Sequence, residues 1–95
     1  MFADQKQTGL KVLVFSKTNC KPCDEFKPIV EAVCDESETP CNIIYKENDK
    51  DNMFGRYAID EVPSLVILKD ASIWIHKGRM LKSEVRNVIE EMREK

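Results

Sequence analysis

Hydrophobic and polar residues follow two rhythms along this chain. Residues 11–15 (KVLVF) form a nearly unbroken apolar, β-branched run, as expected of a strand buried on both faces. From residue 24 the spacing changes. Phe26, Ile29, Val30 and Val33 make one helical stripe, and Asp24 and Glu25 stand where a helix start favours negative charge. Residues 38–40 (ETP) break that stripe, and residues 42–46 (NIIYK) predict a second strand. A polar loop over 47–52 leads to a short helix over 53–59, weakened by Gly55. Residues 64–69 (SLVILK) predict a third buried strand. After a turn at Asp70 and Ala71, residues 72–76 (SIWIH) alternate as a fourth. Beyond Gly78, one face of a final helix carries Leu81, Val85, Val88, Ile89 and Met92, with Ser83 as its N-cap and Glu84 in its first turn.

The order β-α-β-α-β-β-α predicts an α/β fold. A strand, a helix and a second strand suggest a parallel βαβ unit. The tight turn at Asp70 and Ala71 suggests an antiparallel hairpin. Together they give a four-stranded mixed sheet flanked by three helices on both faces. No internal repeat, linker or low-complexity stretch divides the chain, so residues 1–95 are read as one domain.

Composition narrows the setting. With 42% hydrophobic and 34% charged residues, the 95-residue chain reads as a soluble globular protein with a single core. The 15 basic and 17 acidic residues leave a net charge of −2, which gives no basic footprint for nucleic acid or an anionic membrane. No apolar run is long enough to span a bilayer, and residues 1–11 lack the apolar core of a secretory signal. A cytoplasmic setting is expected, where cysteines act as buried hydrophobes, metal ligands or redox catalysts.

Two of the four cysteines lie in Cys20-Lys21-Pro22-Cys23. That spacing arises by chance in roughly one chain in eight of this length, so its context must separate a redox centre from half a metal site or inert packing. Cys20 falls where the first strand hands over to the first helix, and Cys23 falls in that helix's first turn. Unpaired N–H groups and the positive end of the helix dipole favour a thiolate there, and the thiolate is the attacking species in disulfide exchange. Lys17 and Lys21 act in the same direction; Asp24 and Glu25 oppose them. Pro22 suits an opening turn because its missing N–H had no partner to lose. A structural zinc site needs four ligands, and Cys34, Cys41 and His76 offer no second C-x-x-C. Cys34 and Cys41 are read as buried or half-buried free thiols, with a Cys34–Cys41 disulfide as the alternative. Trp74 and His76 are read as packing or surface residues.

At these residues the chain resembles the thioredoxin superfamily in its short form. C-x-P-C after an apolar strand, Pro28 five residues beyond the second cysteine, residues 57–64 (YAIDEVPS) ahead of a buried strand, and Gly78 before the last helix are similar to that family's landmarks in order. The resemblance covers roughly residues 10 to 94. It implies a thioredoxin-like fold of glutaredoxin size, without the extra N-terminal strand and helix of full thioredoxins. Pro63 is implied to be the cis-proline beside the active site, with the Val62 backbone pairing with an extended substrate segment. Lys21 and Pro22 complete the implied contact surface. The implied activity is thiol–disulfide exchange, with Cys20 the nucleophile and Cys23 the resolving thiol. No metal or organic cofactor is implied. The implied partners are disulfide-containing proteins and an upstream reductase or glutathione, and the protein is expected to act as a monomer. The departures are Asn19, where thioredoxins have tryptophan, and Val14, where they bury an aspartate thought to help deprotonate the resolving thiol. Lys46 is a weak candidate for that task. A glutathione-dependent glutaredoxin is the alternative, though residues 77–84 (KGRMLKSE) lack the glycine pair and aspartate of that branch. A non-catalytic binding module is the third reading.

Overall fold

A computed structural model of the chain describes residues 9–94. Most of the N-terminal stretch read for a secretory signal lies outside them. The elements are β1 (Lys11–Ser16), α1 (Lys21–Ser37), β2 (Cys41–Tyr45), a single 3₁₀ turn (Lys46–Asn48), α2 (Met53–Arg56), β3 (Ser64–Lys69), β4 (Ser72–Lys77) and α3 (Lys82–Arg93). They form the expected four-stranded mixed sheet, in the order β2-β1-β3-β4. β1 runs parallel to β2 and antiparallel to β3, and β3 and β4 close the antiparallel hairpin.

The unbroken apolar runs of β1 and β3 mark the two central strands. On one face, Val12, Val14, Leu65 and Ile67 meet Phe26, Val30 and Val33 of α1 and Val85, Val88 and Ile89 of α3. On the other, Leu13, Phe15 and Val66 meet Met53, Phe54, Tyr57 and Ile59. β4 is an edge strand, and its Ile73 and Ile75 are exposed.

Three local expectations change. The second helix ends at Arg56 rather than Ile59, because Ala58 turns left-handed (φ 55°) and the Ile59 N–H returns to the Phe54 carbonyl. The loop before it supplies the cap: both Asp49 carboxylate oxygens accept, from the N–H groups of Met53 and Phe54, each at 2.8 Å. Ser83 is not the N-cap of the last helix. The helix begins at Lys82, and Leu81 is the extended residue before it (φ −72°, ψ 154°). Leu81 is consequently 68% exposed rather than on the packed face. Its side chain has no acceptor, so the start is held from one side only, by the Leu81 N–H donating to the Glu84 carboxylate at 2.9 Å.

Candidate active site

β1 ends in the buried Phe15 and Ser16, and the chain leaves the sheet through residues 17–19. The Thr18 N–H donates to the Glu47 carboxylate at 2.9 Å, which ties this loop to the 3₁₀ turn after β2. Asn19 turns left-handed (φ 56°), a conformation asparagine tolerates better than tryptophan does. Cys20 then caps α1 in an extended conformation (φ −124°, ψ 98°). Its carbonyl accepts the Asp24 N–H at 3.0 Å, and its Sγ accepts the Cys23 N–H at 3.2 Å. The sulfur therefore occupies the place an N-cap oxygen takes, where unpaired helix N–H groups favour negative charge.

Cys20 and Cys23 are joined as a disulfide, with Cα atoms 5.2 Å apart. Cys23 is fully buried, whereas Cys20 keeps 6% of its surface open, so an incoming sulfur has access to Cys20 first. In front of Cys20 lies a groove of about 470 Å³ whose lining includes Lys21, Pro22 and Val62. Pro63 is buried one residue behind Val62. The Val62–Pro63 peptide bond is cis, as the resemblance implied. The Pro63 carbonyl accepts the Gly78 N–H at 2.8 Å, and Gly78 sits at φ 97°, where glycine is favoured. Sheet register brings these distant segments together. Phe15 pairs with Ser64, so the residues just before Ser64 and those just after Ser16 meet at the same end of the sheet.

Charges of both signs border the groove: Lys17 and Lys46 from one pair of segments, Asp60 and Glu61 from the segment before Val62. Asp60 pairs with Lys77 at 2.8 Å, and that hydrogen bond holds its carboxyl below the usual carboxylate range. Hydrogen bonding does the same for Glu47, first from the Thr18 side chain and to a lesser extent from backbone N–H groups, that of Thr18 among them. Farther along α1, the Lys27 ammonium hydrogen-bonds the Tyr45 hydroxyl, lies 4.7 Å from that ring's centre, and has its pKa raised chiefly by that hydroxyl. Val14 is fully buried in the cluster beneath α1, so the apolar departure noted in the sequence is also apolar in its surroundings. Cys34 and Cys41 are free thiols, the first buried and the second half-buried. Trp74 and His76 stack with ring centres 6.0 Å apart.

The sequence reading missed Phe54, Ile59, Asp60 and Glu61 as groove residues. Ile59, Asp60 and Glu61 lie in the 57–64 stretch that the resemblance singled out, but only Val62 and Pro63 were taken from it as contacts. The β1–β3 pairing brings that stretch to the end of the sheet where Cys20 sits, and Phe54 joins it from α2. Among the described residues, no helix is long and apolar enough to cross a membrane.

No family model matches the chain. It is 26% identical over 70 residues to the thioredoxin of Staphylococcus saprophyticus, an alignment covering 73% of this chain and 67% of that protein. Among solved structures, a mutant thioredoxin from Halobacterium salinarum superposes with a TM-score of 0.81 at 19% identity, over 94% of this chain and 79% of that one. Fasciola hepatica thioredoxin superposes at 0.77 with 22% identity, over 94% and 86% respectively.

Proposed function

We propose that this chain, which belongs to the thioredoxin superfamily and is a thiol–disulfide oxidoreductase, works as a reductase of protein disulfides. The observation that carries the reading is the placement of the two sulfurs: Cys20 at the helix N-terminus facing an open groove, Cys23 buried behind it.

In the reduced protein, the Cys20 thiolate attacks one sulfur of a substrate disulfide. The substrate S–S bond breaks, its second sulfur leaves as a thiolate that takes a proton from solvent, and a Cys20–substrate mixed disulfide forms. Cys23 loses its proton and attacks the Cys20 sulfur. The mixed disulfide breaks, the second substrate thiol is released, and Cys20–Cys23 is left oxidised. Two electrons have passed from this chain to the substrate, and an upstream reductase or glutathione returns them. The exchange runs on sulfur alone, without metal or organic cofactor. Val62 offers its backbone to an extended substrate segment as an added strand, while Lys21 and Pro22 form the facing contact. The chain acts as a monomer in the cytoplasm on disulfide-containing proteins, with no nucleic acid or membrane partner.

Cys23→Ser tests the reading. Attack by Cys20 continues, but serine's hydroxyl cannot resolve the mixed disulfide. A cell extract passed over this variant is expected to leave higher-mass adducts on non-reducing gels, which collapse with reductant. Cys20→Ser and the double variant are expected to leave none. Adducts that form equally well with Cys20→Ser would move the chemistry to Cys34 or Cys41. Continued turnover of glutathione mixed disulfides by Cys23→Ser would favour a glutaredoxin instead.

A further inference from the structure

Cys34 and Cys41 take no part in the exchange described above. Cys34 lies in the last turn of α1, and Cys41 opens β2. The chain reverses sharply between them. Glu38 ends the helix in a left-handed conformation (φ 54°), the Thr39 N–H returns to the Cys34 carbonyl at 2.9 Å, and the Pro40 carbonyl accepts from Val12 at 2.9 Å. This reversal sets Cys41 beside the end of the helix it follows. Cys34 is buried in the cluster under α1 and α3, and Cys41 packs against the same cluster from its margin. The two thiols interact side chain to side chain. That contact, with burial, keeps the proton on Cys34; it draws Cys41 down, against burial and the Glu31 and Asp35 carboxylates.

We propose that Cys34 and Cys41 are a second dithiol/disulfide pair, oxidised by small-molecule disulfides of the glutathione class. The pair stands apart from the first. Cys20 and Cys34 are fourteen positions apart on α1, about 20 Å along its axis. Cys41 is the more open of the two and reacts first. Its thiolate attacks one sulfur of the small disulfide, whose S–S bond breaks and whose other half leaves as a thiol after taking a proton. Cys34 then gives its proton to solvent and attacks the Cys41 sulfur, expelling the second small thiol. Two electrons pass to the small disulfide, and one Cys34–Cys41 bond replaces two thiols. The bond ties the end of α1 to the first residue of β2. It restricts the unfolded chain and raises the melting temperature by roughly 10 °C. None of this depends on the role proposed for Cys20 and Cys23.

The test uses the full chain carrying Cys20→Ser and Cys23→Ser, incubated with glutathione disulfide. The expected product has lost two hydrogens in intact mass and carries no retained glutathione. Cleavage after glutamate should then yield residues 32–36 cross-linked to residues 39–47, since Glu31, Glu36, Glu38 and Glu47 flank the two cysteines. Melting should rise by roughly 10 °C and return to its starting value with dithiothreitol. The unsubstituted protein, mapped in the same way, gives the same cross-link and covers the case in which the double variant does not fold. A stable single adduct on Cys41, a cross-link between two chains, or two thiols that stay reduced while an exposed model thiol is fully oxidised would each overturn the proposal.

Discussion

At the scale of single residues, Val14 separates what the chain keeps of the thioredoxin pattern from what it lacks. Its side chain is fully buried among Phe26, Leu65 and their neighbours, with apolar surroundings on the face that α1 covers. Val14→Asp puts a carboxyl there. A buried carboxylate without a partner costs about 3 kcal/mol or more, a large part of the ~5–15 kcal/mol that holds a domain together. The sign of its pH dependence is fixed. Burial raises the folded-state pKa of this new aspartate, so the penalty is absent below the unfolded value of about 3.9 and grows as pH rises toward the folded value. Urea denaturation is therefore expected to show Val14→Asp nearest to wild type in acid and farthest from it at neutral pH. A constant difference across pH would mean that the new carboxyl reaches solvent. The cysteine pair and Pro63 were legible because each sits in a short local pattern. Ile59, Asp60 and Glu61 share Pro63's stretch, but which of its side chains face Cys20 depends on tertiary pairing, and Phe54, outside that stretch, had no local signal at all.

At the scale of elements, type and order could be read from the periodicity, as could both ends of β3 and the starts of β1 and β4, while the ends of α2 and α3 could not. Every strand and helix expected from the pattern is present in the expected order. The final helix shows why ends are harder. Serine at 83 offered a preferred cap, but Glu84 reaches back to the Leu81 N–H and starts the helix before Ser83. Ser83→Ala is accordingly expected to change stability by less than roughly 0.5 kcal/mol, while Glu84→Ala lowers the melting temperature. The reverse ranking in thermal melts would restore Ser83 as the cap. The loop before Cys20 carries a second prediction of this kind. Glu47's pKa is lowered first by the Thr18 side chain and in part by the Thr18 N–H that it accepts. A lowered carboxyl pKa contributes its stabilisation above the ordinary carboxylate range and loses it as pH falls through the folded value. The Thr18 amide proton resonance should therefore titrate in acid, below that ordinary range, and stop titrating in Glu47→Gln. A pH-independent Thr18 amide in the unsubstituted protein would mean that Glu47 does not hold this loop.

For the molecule as a whole, the two faces of the sheet are covered unequally, and the groove in front of Cys20 belongs to the thinner side. α1 and α3 bury one face with Phe26, Val30, Val85 and Ile89, all fully inaccessible. The other face rests on a one-turn helix and the residue after it, where Met53, Phe54 and Tyr57 are only half-buried. Phe54 meets Phe15 edge to face at 4.9 Å between ring centres, and it also lines the groove in front of Cys20. Truncating Ile89 to alanine removes a side chain packed on all sides and is expected to cost ~2–5 kcal/mol. Phe54→Ala removes a larger side chain with solvent on one flank, so it is expected to cost less than Ile89→Ala despite its size. The same asymmetry should govern opening of the native protein. Local unfolding starts where few buried apolar contacts hold the backbone, so amides between Lys46 and Tyr57 should exchange with solvent well before those of β1 and β3, which wait for global unfolding. Native-state hydrogen exchange measures both. Equal protection of the two regions would mean that α2 is held as firmly as the central strands. Faster exchange in α2 would place the adjustable wall of the groove opposite a fixed Cys20, so that substrates of different shape are met by movement of the wall and not of the sulfur.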